Sequence, residues 1–120
     1  SHIARNKYLG RHRTLLDAVV FEGLANTFAE EQWPMFDAPW TRYSEPELTP
    51  FLRILKKDGH SEKYSHDEWF FGQGKKPRWI GYKLGSYIVR FAKERNAGLT
   101  ALKMVKLATK EIASLSKLNI

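Results

Sequence analysis

The stretch TLLDAVVFEGLANTFAEE, residues 14–31, decides the fold class. Placed on a helix at ~100° per residue, its apolar side chains fall nearly all round the cylinder. Leu15, Ala18, Val19, Ala25 and Ala29 make one stripe, and Leu16, Val20, Phe21, Leu24 and Phe28 cover most of the rest. Such a helix is buried on most sides. Glu22 stands at the centre of the stripe with Asn26 as its close polar neighbour. A buried carboxylate is costly unless it is paired or bound to a cation. Two readings of Glu22 stay open on these residues: an ion pair with an arginine such as Arg11 or Arg90, or a metal ligand. Ala18, Ala25 and Ala29 have small side chains, which would let another helix approach closely at the level of Glu22, the segment just before it being the candidate.

Working outward, residues 1–9 read as the end of a helix stopped by Gly10, and Trp33-Pro34 ends the helix of residues 13–32. The segment PMFDAPWTRY, residues 34–43, is too apolar for a linker and reads as an ordered loop packed on the core. Ser44 with Glu47, and Ser65 with Glu68, are capping-box patterns. The first opens a helix to about Lys57, kinked or restarted at Pro50; the second opens a short aromatic helix ending at Gly72. Residues 78–95 form a long amphipathic helix with Ile80, Leu84, Tyr87, Ile88 and Phe91 inward, and Thr100 caps a last helix to about Lys117 with Leu102, Val105, Ile112 and Leu115 inward. No strand alternation of any length occurs. The sequence therefore predicts an all-α bundle of about five helices, residues 1–120 forming a single helical domain.

With 42% hydrophobic residues the chain can build one core unaided. It has no cysteine, so disulfides and thiolate metal sites are excluded, and His and carboxylates are the strong ligands left. No apolar run approaches the ~20 residues of a membrane span. The net charge of +7 comes from 20 Lys and Arg against 13 Asp and Glu, scattered and alternating in sign. That distribution suits solvated helix faces better than specific nucleic-acid binding.

Several motifs resemble known families. In zinc peptidases of the thermolysin type, the gluzincins, two histidines of an H-E-x-x-H motif and a glutamate from the following helix bind zinc. His2 precedes Glu22 by twenty residues, close to that spacing, which would place the start of the chain inside the motif. Ser1-His2 is also what tag cleavage leaves behind, in which case Glu22 alone remains. The wording FEGLANTFAEE resembles the segment with the third zinc ligand in aminopeptidases of the aminopeptidase N type, with Phe21 where that family has asparagine. Taken in order, TLLDAVVFEGLANTFAEE, PW, EWFFG and PRWIGYKLGSYIV are similar to the C-terminal part of a bacterial family of unknown function described as predicted zinc-dependent proteases.

The resemblance implies zinc held by His2 and Glu22, a peptide or protein substrate, and a further N-terminal part of the same protein carrying the first His and the base Glu. Without those two groups the 120 residues alone would be inactive. For the donor to the tetrahedral oxyanion it implies Tyr82, sixty residues after Glu22 as in the aminopeptidase N type, with His66 second by analogy with the thermolysin type. Gly81 and Gly85 would keep the surroundings of Tyr82 open to a substrate chain. A cytoplasmic parent is expected, with secretion or lipid anchoring left open. Other classes of function remain: a basic helical module binding nucleic acid or an acidic partner, and an inactive helical piece with a structural role.

Overall fold

The computed structural model describes residues 14–74 and 76–120. Among the described residues six α-helices span α1 Leu15–Gln32, α2 Glu45–Asp58, α3 His66–Phe71, α4 Ile80–Arg95, α5 Ala101–Met104 and α6 Thr109–Ser116, with a 3-10 turn at Pro39–Thr41. No strand occurs among the described residues. The expected all-α class is observed. The helix read over residues 1–9 lies outside the described residues.

The start of α1 is fixed by its own sequence. Thr14 Oγ1 accepts the Asp17 N–H at 3.0 Å while Asp17 Oδ2 accepts the Thr14 N–H at 3.1 Å, a reciprocal cap. The next two free donors of the first turn, on Leu15 and Leu16, go to the carbonyls of Ser61 and Gly59 at 3.0 and 2.9 Å. The entry to α1 is thereby tied to the loop after α2. Leu15, Val19, Val20 and Leu24 are fully buried, as the all-round apolar pattern requires.

α1 packs most extensively on α4. At their crossing the backbones touch: a Cβ on Gly85 would meet the Val19 carbonyl oxygen and lie 2.8 Å from the Gly23 nitrogen, and one on Gly23 would meet the Gly85 carbonyl. A close approach next to Glu22 is thus made by Gly23 with a later helix, while the segment before α1, the candidate for the alanine stripe, lies outside the described residues. Ala25 and Ala29 stay partly exposed. Around this pair, Leu48 and Leu55 of α2, Phe70 of α3, and Met104 and Ile112 of the last two helices complete the core.

Acids near the end of α1 secure its other neighbours. Glu30 pairs with Arg90 at 2.7 Å and Glu31 with Lys93 at 2.8 Å. Glu31 also accepts the Ala101 N–H at 3.1 Å, capping α5 from outside. Lys83 pairs with Glu47, and Lys76 with Glu68 at 2.6 Å, so part of the basic surplus is matched locally.

Three local expectations are corrected. The C-terminal stretch is two helices, because residues 105–108 turn and Glu111 accepts the Ala108 N–H at 3.3 Å to start α6. Periodicity counted across that break loses its phase, and Leu102 ends 61% exposed. Residues 34–43 are only partly packed: Ala38 and Thr41 are buried, but Met35 is 95% exposed. Of the two alternatives at Pro50, a kink or a restart, the restart is excluded, because α2 is one helix through it.

Candidate active-site cleft

A cleft of about 370 Å³ is lined by Glu22, Ala25 and Asn26 of α1, Trp40 of the 3-10 turn, Phe71 at the end of α3, and Trp79 and Tyr82 at the start of α4. The α1–α4 crossing sets it. Glu22 adjoins Gly23, and Tyr82 lies one turn before Gly85, so the backbone contact holds the acid and the phenol on one wall system.

Burial raises the Glu22 carboxyl from 4.5 to about 7. The Tyr82 hydroxyl is pushed up as well, by burial first and then by the charge of Glu22, so it stays a protonated donor at neutral pH. Arg90, one arginine that could have neutralised Glu22, instead donates to Glu30 at 2.7 Å and to the Thr41 carbonyl at 3.2 Å. Arg11, the other, lies outside the described residues.

Asn26 is 7% exposed and bonded at both ends of its amide. Its Nδ2 donates to Ser86 Oγ at 3.3 Å, and its Oδ1 accepts Trp40 Nε1–H at 3.3 Å. Trp40 in turn meets Trp79 edge-on, ring centroids 6.2 Å apart. Trp79 has φ +65, a left-handed backbone conformation that costs a bulky residue roughly 1–3 kcal/mol and tends to mark functional sites. Tyr82 packs edge-on against Phe70 at 5.0 Å and Phe71 at 6.3 Å.

The structure thus brings Glu22 and Tyr82 together. His66 is exposed at the first position of α3, stacked on Phe70 at 4.5 Å, and is not among the cleft's lining residues. His2 lies outside the described residues. Gly81 and Gly85 do not leave space around Tyr82: a Cβ on Gly81 would be 2.7 Å from the Phe70 ring, and Gly85 is filled by α1. Trp40, Phe71 and Trp79 are the cleft aromatics that sequence did not separate from core ones such as Trp69 and Phe70. Each cleft aromatic stands in or beside a turn or helix end, which is the signal that could have singled it out.

As a zinc donor set the cleft is partial. A carboxylate whose ionised form is penalised by burial fits a divalent cation, and carboxylate oxygen is an ordinary zinc ligand. Among the described residues no three His, Asp or Glu side chains form a metal site, and Glu22 is the one such side chain that lines this cleft.

The raised Glu22 value has a stability consequence. Its folded value lies above the unfolded one, so the native chain holds this proton more tightly, an advantage complete below pH 4.5 and lost as pH rises towards 7. For a carboxyl still partly in contact with solvent the loss is about 1–2 kcal/mol. Thermal melts of the metal-free chain at about pH 5 and pH 8 are expected to show the loss, and Glu22→Gln to reduce it. An unchanged pH dependence in that variant would mean that Glu22 is neutralised by a charge partner.

The family described as Predicted Zn-dependent protease (DUF2268) matches residues 1–114. The "Uncharacterized protein YjaZ" of Bacillus subtilis (strain 168) is 31% identical, over 74% of this chain and 37% of its own length. The chain thus spans little more than a third of that relative. No solved structure matches it.

Proposed function

The chain belongs to the family of predicted Zn-dependent proteases, and from that premise we propose that the intact protein is a zinc peptidase in which Glu22 is a metal ligand and Tyr82 an oxyanion donor. The meeting of Glu22 and Tyr82 in one cleft carries this reading. Glu22 is held by a helix buried on most sides and backed by the Gly23–Gly85 contact, so its carboxylate is presented on rigid backbone. His2, as a native residue, would add a nitrogen ligand. The first histidine and the base glutamate of an H-E-x-x-H motif have to be supplied by polypeptide outside the 120 residues.

Bound at Glu22, zinc would supply polarisation of the scissile carbonyl and acidification of a water. Tyr82 contributes a neutral O–H from the same cleft, oriented by its ring contacts with Phe70 and Phe71, to the oxygen that gains charge.

The test is metal content and peptide hydrolysis by the intact protein. Zinc bound in stoichiometric amount is expected, with activity removed by a chelator and restored by zinc. A protein that hydrolyses no peptide in a broad library when loaded with zinc would sink the reading.

A further inference from the structure

We propose that the aromatic end of the cleft, walled by Trp40, Phe71 and Trp79, is a subsite for a large neutral aromatic side chain of the peptide, and that Asn26 is the positioning residue holding its Trp40 wall. This rests on the peptidase reading and goes beyond it to the substrate class.

The first support is how these rings are spent. Trp69 and Phe70, from the same aromatic run as Phe71, are buried in the core, whereas Trp40 and Phe71, which line the cleft, are 37% and 50% exposed. Exposed aromatic surface gathered round one concavity is what an apolar ligand group removes from water. The second is geometry. Trp40 and Trp79 line the cleft at 66° to one another, an edge-to-face pair that a further ring can extend.

The third support is that the wall is anchored. The Asn26 amide is buried, and both its ends are committed, one to Ser86 on α4 and the other to the Trp40 indole N–H. That link fixes a ring belonging to a surface turn against the two central helices. Trp79 is held opposite on a left-handed backbone that only its surroundings maintain, with the Arg78 guanidinium over its ring at 4.3 Å.

Charge chooses among occupants. Glu22 is the one charged side chain among the described lining residues, which include no Lys or Arg to receive an acidic group. With a divalent cation at Glu22, a lysine or arginine side chain would share the cleft with like charge. A neutral aromatic group meets neither penalty.

The test uses the intact, zinc-loaded protein and peptides that differ at a single position beside the scissile bond: Phe, Ala, Lys or Asp. Phe is expected to exceed Ala in kcat/KM by about tenfold or more, the return on burying such a ring, with Lys and Asp no better than Ala. Trp40→Ala should bring the Phe/Ala ratio down to about threefold or less. Asn26→Ala should shift the same ratio in the same direction. Trp40 is at the surface, so its variant keeps the proposal falsifiable if Asn26→Ala does not fold.

A second arm titrates N-acetyl-phenylalaninamide, N-acetyl-alaninamide and N-acetyl-lysinamide into the same protein, following the indole N–H signals. Hydrolysis with no Phe preference at any position, or a preference that survives Trp40→Ala, overturns the subsite and leaves the peptidase reading standing. Selective binding of the phenylalanine amide at Trp40 without hydrolysis of any peptide keeps the aromatic pocket and removes the peptidase reading. Preference for the lysine probe overturns the inference in favour of an aromatic cage for a cation.

Discussion

Replacing Gly85 by alanine is expected to destabilise the chain by about 3 kcal/mol or more, the upper end of what overpacking costs, and Gly85→Val to prevent folding. The added methyl meets backbone, not the far end of a flexible side chain: the Val19 carbonyl oxygen, and the Gly23 nitrogen at 2.8 Å. Neither can turn aside, so α1 and α4 must separate. Separation loosens Val19, Leu84 and Ile88, which lie in the core this helix pair builds. Alanine improves intrinsic helix propensity over glycine by about 1 kcal/mol, and that gain is smaller than the packing loss. Gly23→Ala meets the same contact from the other side. Either substitution alone forces the helices apart, so the double variant should lose less than the sum of the singles. Denaturant midpoints of the three variants check this. A Gly85→Ala protein as stable as the parent would mean that the crossing is looser than the structure has it.

That crossing marks where sequence reading reaches its limit. The burial of α1 is legible because ten of its residues are apolar at all phases of a helix, and its start is legible because Thr14 and Asp17 stand three apart. Glu22 is legible as an anomaly for the same reason: an acid stands at the centre of an otherwise apolar stripe. The contact between α1 and α4 beside it is not legible. Alanine and glycine both permit close approach, and only the relative rotation of α1 and α4 shows that Gly23 and Gly85 make the contact. Tyr82 is reached by resemblance in spacing, whereas its meeting with Glu22 is a tertiary fact. Trp40 is harder still. A tryptophan in an apolar loop reads as packing, and its placement depends on a bond to Asn26, fourteen residues earlier, that leaves no trace in periodicity. The phase error at Leu102 has a similar origin, since a turn between two short helices carries no Gly or Pro to announce it.

In the intact protein, Glu22→Gln and Tyr82→Phe are expected to abolish or cripple peptide hydrolysis in different ways. Gln keeps the size of Glu22 but not its charge, so it no longer offsets a divalent cation; zinc content should fall, and hydrolysis with it. The variant should still fold, because a neutral side chain relieves the burial that raises the Glu22 carboxyl to about 7. Tyr82→Phe leaves the ring on Phe70, 5.0 Å between centroids, and removes only the hydroxyl. Zinc content should then be normal while kcat drops by ~10² to 10³, the usual loss for one oxyanion donor, with KM changed little because the missing bond strengthens only as charge develops. Metal analysis beside steady-state kinetics separates the roles. Equal zinc loss in both variants would make Tyr82 a structural aromatic. Full activity in Glu22→Gln would return Glu22 to an ordinary buried ion pair, its partner then to be sought among the cationic side chains of residues 1–13, where Arg11 stands.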